Sequence, residues 1–576
     1  MHYCLERARL ARSRSRRGAF VISTLPPMQN ILRDSCNPEL HFAKQELTNS
    51  MKTLIRTLRR LLLTLLAVTS FARSILAQNV SIPDPGLNLA IRNALHIPSA
   101  PLTVQNLLTL TNLDASRRNI RNTLGLETAS NLVSLNLQIN LLTNFPIPTT
   151  FTKLVVLDVS VNSLTQLSVP NSLTNLASLT SEGCGFTNVT LPPTLTALTN
   201  FDIEGNDVRS LNLPATFTRL VALDLGFNQF TSFSLPVGLT NLSTFYFAGN
   251  PLTNAIFPPG LSGMTELNLS QNLLTNFTLP AGMTHLEELD LGFNQLTNVS
   301  LPDDLRNLTD LDLDFNQLTS LTLPPNLTNL FFLHLRANLF DNFSVPSGLT
   351  ALTYLDVSDA PLTNITFNGD LGNLRTLRLS GNRLRKLTLP LGLTKLTAVN
   401  LTANQLTNLV LPPDLGQLQT LDVGGNALTS LNLPLGLTNL TGLFFVGNQL
   451  TSLTLPPDMT NLVTLGFLAN PFTTLVAPET LDTTNLGGAI GTLESNGVIV
   501  FTYPLTPRLI SLRRTADGAF QFAVSGPPGI YTVLASSNLT DWSELAIVTN
   551  ELGFARFDDR QANLSPQKFY RARFAQ

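Results

Sequence analysis

The chain has 576 residues, a formal net charge of −2, and only 13 % charged against 43 % hydrophobic residues. This combination excludes an intrinsically disordered chain, and the near-neutral total argues against a broad nucleic-acid-binding surface. Three cysteines in 576 residues exclude a disulfide scaffold.

Residues 1–50 carry Arg7, Arg9, Arg12, Arg14, Arg16 and Arg17 without any apolar period, and read as an extension outside the working protein. At Met51 the texture changes. Lys52, Arg56, Arg59 and Arg60 precede the apolar run Leu61 to Val68, and small and polar residues then lead to Ala77. Basic start, short apolar core and small-residue exit are the order of a secretory signal, assigned to 51–77. The apolar run is shorter than the ~20 residues that cross a bilayer. An exported, secreted or cell-surface protein with no transmembrane span in its mature chain is expected. Cys184 would be its one cysteine.

Residues 78–109 form the next segment. Asp84 followed by Pro85 is a helix-start pair, and Leu87, Ala90, Ile91, Ala94 and Leu95 keep helical spacing. A second short helix is expected within Thr103 to Leu108. The stretch Ile82 to Leu110 resembles the helical N-terminal caps of internalin-like bacterial surface proteins.

From 110 to 504 one period dominates. Steps of 22 from Asn140 reach Asn162, Cys184, Asn206 and onward to Asn470 without insertion or deletion, with Ala360 as the second departure from asparagine. A looser unit around Leu113 precedes these sixteen, giving about 17 units. In Leu311-Asp312-Leu313 the alternation has period two, so each unit contains a strand with its leucines on one face. Asn316 then turns the chain, and its amide can bond free backbone groups of its own and neighbouring turns. Leu318, Leu321, Leu323 and Leu327 point back inward, while Pro324 and Pro325 make the outer side extended or turn-like rather than helical. The pattern LxxLxLxxNxL resembles the leucine-rich repeat, whose signature allows cysteine in the asparagine place. The resemblance implies an α/β-type solenoid dominated by one parallel sheet, with a helical cap and a large one-sided surface suited to binding.

Residues 505–576 carry short β-type runs at Leu509–Arg513, Phe520–Val524, Tyr531–Ala535, Glu544–Val548 and Phe569–Phe574, separated by turns such as Gly526 to Gly529. They read as a small all-β sandwich. The pieces Tyr531 to Leu545 and Lys568 to Phe574 resemble C-terminal modules of secreted bacterial proteins, with a fibronectin-type-III-like fold and Trp542 in the core.

Three positions per unit, six, four and two residues before the asparagine, leave the strand on the solvent side. Around the acidic centre they supply Glu288, Asp290, Asp310, Asp312, Asp314, Phe332, His334, Arg336, Tyr354 and Asp356, the candidate ligand-binding set. A basic or polyhydroxylated partner, protein or glycan, would suit these groups. Alternate strand positions lie ~6.6 Å apart, too far for one calcium ion without carboxylates leaning together, so no metal or cofactor is assigned. Asp312, His334 and Ser358 supply the residue types of a hydrolytic triad, but on an open sheet with no oxyanion hole.

The reading is therefore a monomeric, non-catalytic macromolecule-binding protein working through its concave face. The alternative is a structural or adhesive surface component acting through solenoid length and the C-terminal module. By segment, residues 1–77 hold 13 basic and 4 acidic residues, residues 78–504 hold 15 and 28, and residues 505–576 hold 8 and 6. The acid lies in the solenoid.

Overall fold

The structure is a computed structural model that describes residues 50–68, 78–484, 486–564 and 567–575. The chain divides into two units, 1–76 and 77–576. In the first, the described residues 50–68 form one solvent-exposed helix. It covers the basic start and apolar run of the expected signal, whose exit at 69–77 lies outside the described residues. Among the described residues no helix is long and apolar enough to cross a membrane.

The second unit opens with the expected cap. Asp84 accepts hydrogen bonds from the Gly86 and Leu87 amides (both 3.0 Å) and starts the helix Pro85–Leu95, which buries Leu87, Ala90 and Ile91. Pro85 suits the first turn because its missing N–H would have no intrahelical partner. His96 ends the helix in the left-handed region, and Thr103 with Asn106 forms a reciprocal capping box on the second helix, Val104–Leu108.

Seventeen strands of three residues then form a single parallel sheet, from Asn112–Asp114 to Thr464–Gly466. Register follows the 22-residue period: Leu311 lies opposite Leu289 on one side and Leu333 on the other. The middle residue of each strand enters a continuous core, where Leu308, Leu311, Leu313, Leu318 and Leu327 are fully buried. The outer side holds no helix between Ser134 and Gly466; it is built of proline-led turns and short parallel pairs such as Asn276–Thr278 with Asn298–Ser300.

The turn after fourteen of the seventeen strands rests on one asparagine. Asn316 Nδ2 donates to the carbonyls of Leu291 (3.0 Å), Leu313 (3.1 Å) and Asp314 (3.2 Å), while its Oδ1 accepts from the Leu296 amide at 2.9 Å. It therefore bonds its own turn and the preceding unit together, as the sequence implied. Cys184 replaces these bonds only in part. Its thiol reaches the Val159 carbonyl at 3.2 Å, but sulfur is a weak acceptor in place of the amide oxygen. Burial raises its pKa to about 11, so the thiol remains protonated and unreactive at neutral pH.

Two further ladders were not anticipated. Asn175, Asn241, Asn307, Asn329, Asn373, Asn439 and Asn461 each donate to a carbonyl 23 residues earlier. Thr309, Thr353, Thr397 and Thr441 likewise donate to carbonyls 22 residues earlier. Inter-turn bonds of this kind explain how a chain with few charges satisfies a long, irregular backbone.

After Asn470 the period ends in the strand Thr474–Pro478, two short helices (Glu479–Thr484 and Gly487–Ser495) and the strand Ile499–Tyr503. The helices were not expected. Tyr503 is fully buried and its hydroxyl donates to the Leu455 carbonyl at 2.6 Å, closing the last turn. Two three-stranded antiparallel sheets follow, each containing one of the adjoining strands Phe520–Ser525 and Gly529–Ser536. Phe522, Val524, Tyr531 and Val533 form their core. The strand Phe554–Asp559 was missed because its run FARFDD is too polar to read as one. Trp542 is not in that core. It is half-buried, its indole N–H donates to the Leu539 carbonyl, and the Arg571 guanidinium lies 4.2 Å from the ring centroid.

Candidate functional site

The concave strands place the candidate residues side by side. Asp310 pairs with Phe332 and Glu288 across the sheet, and Asp312 with His334 and Asp290. His334 lies at the centre, with Nε2 3.9 Å from Asp310 Oδ1 and its ring 4.9 Å from that of Tyr354. Phe332 stands 6.4 Å from Tyr354, whose hydroxyl donates to Asp356 Oδ2 at 3.1 Å. Glu288, Asp290, Asp310, Asp312 and His334, together with Tyr246, Glu266 and Asn268, line a hollow of about 190 Å³. Tyr246 donates to Glu266 on its rim. Neither of those two was in the sequence-derived set.

The structure also separates the set into two kinds of group. In eleven units the residue four before the ladder position is Asp or Asn, and its Oδ1 accepts the amide of the residue two further on. This is an Asx turn, which lets the strand end in a tight bend. Asp290, Asp312 and Asp356 belong to that column, so each has one oxygen committed to the backbone, and Asp356 is buried at 4 % exposure. Asp310 and Glu288 carry no such duty. Asp314 accepts the Arg336 amide at 2.6 Å. The exceptions in the column, Tyr246, His334, Arg378 and Phe444 among them, mark where side chains are free to vary.

Arg336 departs from the expected patch. Its Nε bonds Asp359 Oδ2 at 2.8 Å and its guanidinium lies 5.4 Å from the Phe315 ring centroid, so it projects along the rim away from the acidic hollow. Six basic residues fall between 375 and 395, namely Arg375, Arg378, Arg383, Arg385, Lys386 and Lys395; of these Arg378 is on the concave strand, over the Tyr354 ring, while Arg383, Arg385 and Lys386 are exposed beyond it.

Crowding sets the electrostatics. Burial, with repulsion from Asp312, Glu288 and Asp290 against the attraction of His334, raises Asp310 to about 6. Burial and Asp312 raise Asp314 to about 6, and burial with Asp202 and Glu204 raises Asp224 to about 7. A carboxyl group raised on folding holds its proton longer in the native state, so these groups favour the fold at low pH and that contribution is lost as pH rises from about 4 to 7. The opposite linkage holds for Asp559, whose bonds from Lys568 and Tyr570 depress it; its contribution is lost at lower pH. The thermal midpoint is therefore expected to be higher at pH 5 than at pH 8. In an Asp224→Asn, Asp310→Asn, Asp314→Asn variant, calorimetry should show that difference flattened.

Asp312, Asp314 and His334 each offer a ligand atom, all within 4.8 Å of one another. Oδ1 of both carboxylates already accepts a backbone amide, and the three atoms would have to lean together to share one ion. Ser358, the serine of the nominal triad, is buried and its hydroxyl accepts from Ser380. A second concavity, about 630 Å³, lies between the outer turns around Leu431–Leu435 and Ser452–Pro457 and the C-terminal residues Pro507, Pro527, Pro528 and Phe574. It is mainly apolar and was not visible as a pattern, because its walls are far apart in sequence.

Comparison with known proteins supports the repeat reading. The BspA-type leucine-rich-repeat region model matches residues 159–266 and 358–471, and a leucine-rich-repeat model matches 284–326. Curated proteins return no match. Among solved structures, YopM from Yersinia enterocolitica is similar at a TM-score of 0.51 and 25 % identity, over 71 % of this chain and 86 % of that one. InlJ from Listeria monocytogenes aligns at a TM-score of 0.48 and 19 % identity, over 78 % and 96 %. The expected resemblance to leucine-rich-repeat proteins is borne out.

Proposed function

We propose that this leucine-rich-repeat solenoid is an exported, non-catalytic protein that binds a macromolecule through the concave face centred on Asp310, Asp312, Asp314 and His334. The observation that carries the reading is the hollow itself: Glu288, Asp290, Asp310 and Asp312 line one small space, where burial first and mutual repulsion second raise Asp310 to about 6, beside the exposed ring of Phe332 and the half-buried ring of Tyr354. Holding like charges together opposes folding, and a cationic or hydrogen-bond-donating partner would relieve that repulsion. Export rests on the leader at 51–77, and a protein partner suits the charge better than a neutral one.

The test is a binding screen of the full chain against extracellular proteins and cell-wall glycans, beside an Asp310→Asn, Asp312→Asn, Asp314→Asn variant. Asparagine keeps the Oδ1 acceptors that hold the Asp314 and Arg336 amides, so the turns survive while the charge is removed. Affinity for the true partner is expected to fall at least about tenfold, the effect of losing one to three kcal/mol of charge pairing. Equal affinity in the variant would place the binding surface elsewhere.

A further inference from the structure

The residue before each ladder position adopts positive φ in all sixteen units, from Ile139 to Ala469. Glycine, which the left-handed region favours, fills six of these places, and alanine, with the smallest side chain that must bear the strain, fills three. Three units instead carry phenylalanine: Phe227 (φ 49°), Phe293 (φ 55°) and Phe315 (φ 54°). Their rings are not core. They are 48 %, 55 % and 38 % exposed. All three occur in the same local phrase, DLGFNQ at 224–229 and 290–295 and DLDFNQ at 312–317, which couples each ring to a carboxylate three residues earlier.

Phe293 and Phe315 stack on one another, with centroids 4.4 Å apart and planes 12° from parallel. The far face of Phe315 is covered by the Arg336 guanidinium, itself held by Asp359. The far face of Phe293 carries no ring or cation among the described residues. Beside it the chain passes through Gly292, where an added Cβ would lie 3.2 Å from Asp290 Oδ1 and 3.1 Å from Asp312 Oδ1. Two carboxylates thus stand at the base of an exposed aromatic stack.

From this juxtaposition we infer that the Phe293–Phe315 stack is the rim of the ligand site and receives an arginine-bearing segment of a protein partner, its guanidinium against the exposed surface of Phe293 and its second charge in the hollow lined by Asp290 and Asp310. This rests on the concave-face reading and narrows it to a cationic polypeptide. Charge complementarity carries the choice: residues 78–504 hold 28 acidic against 15 basic residues. The molecule already shows the same contact internally, guanidinium on Phe315 with a carboxylate alongside. A planar guanidinium stacks on an aromatic face more effectively than an ammonium does.

The experiment uses the full chain and two probes, an oligo-arginine and an oligo-lysine peptide of equal length, read by fluorescence anisotropy. In a Phe293→Gly, Phe315→Gly variant, arginine-peptide affinity should fall about tenfold and lysine-peptide affinity much less. Glycine suits the backbone at both sites, so the thermal midpoint should hold. An Asp290→Asn, Asp310→Asn variant should weaken both peptides alike. If the carboxylate variant loses binding and the ring variant does not, the aromatic rim is wrong and the concave reading stands. If the wild type binds neither peptide, the cationic partner is wrong. Capture of a neutral glycan that depends on Asp310 would then show that the concave reading survives without it.

Discussion

Replacing Asn294 and Asn316 together by alanine is expected to cost more than the two single changes added. Each single variant loses three bonds donated by the amide and one accepted by it, and leaves one buried backbone donor, the Leu274 or Leu296 amide, without an acceptor. Two protons serve the three donated contacts, so they count as about two bonds at about 1 kcal/mol each; with about 1–3 kcal/mol for the orphaned amide, each single variant loses about 3–5 kcal/mol. The carbonyls are buffered against one loss. Leu291 O receives Nδ2 from both Asn294 and Asn316, each at 3.0 Å, so one donor remains in either single variant. The double variant removes both, and the coupling should appear as an extra 1 kcal/mol or more. Urea unfolding with hydrogen exchange at Leu274 and Leu296 would measure it, since a repeat array opens locally as well as globally. Strictly additive losses would mean that the shared carbonyl matters little. The natural gap supplies the reverse case. Ala360 leaves the Phe340 amide without an acceptor among the described residues, and Ala360→Asn should recover about 1 kcal/mol.

The asparagine ladder was legible because its signal is a strict period on a residue type whose chemistry admits few uses. The sheet, its register and the inward leucines followed from the same period. The acidic row was legible only in part. Read as a strand, Asp290, Asp312 and Asp356 are simply the solvent face; as the structure has them, one oxygen of each ends the strand by closing a turn. Alternation cannot distinguish those roles, since both leave the side chain on the outer face. The column itself carried the missing signal, because a surface selected only for solubility would not return Asp or Asn in eleven units. The positions that break it, Tyr246 and His334 above all, then become the informative ones. Phe293 and Phe315 were invisible for a different reason: a phenylalanine beside a leucine repeat reads as core, and only the left-handed backbone turns the ring outward. The outer cavity and the pairing of Tyr503 with Leu455 depend on contacts across 48 residues or more, which a 22-residue period does not encode.

At the N-terminal end, Asp84→Ala should detach the cap from the solenoid. Asp84 is 6 % exposed and uses both carboxylate oxygens. Oδ1 holds the first turn of the helix Pro85–Leu95, and Oδ2 accepts the Arg121 amide at 2.8 Å and the Asn122 amide at 3.3 Å. One side chain therefore starts the helix and fastens it to the first repeat. Alongside it the backbones approach so closely that a Cβ on Gly86 would lie 2.2 Å from the Arg118 carbonyl oxygen. Removing the carboxylate leaves four amides unpaired in a confined space, a loss of about 3–5 kcal/mol from charge-assisted bonds. Asp84→Asn should not restore it fully, because its amide nitrogen would face two N–H donors on one side. The cap covers an open leucine edge, as solenoid ends require. Hydrogen exchange should therefore accelerate in Pro85–Leu95 and the first strands near Leu113 and Leu135, while strands beyond Leu377 keep their protection. Uniform acceleration along the solenoid would show that the array unfolds as one unit. No acceleration would show that burial of Leu87 and Ile91 holds the cap without its staple. Gly86→Ala tests the same joint from the backbone side, by a clash rather than a lost charge, and should give the same local pattern.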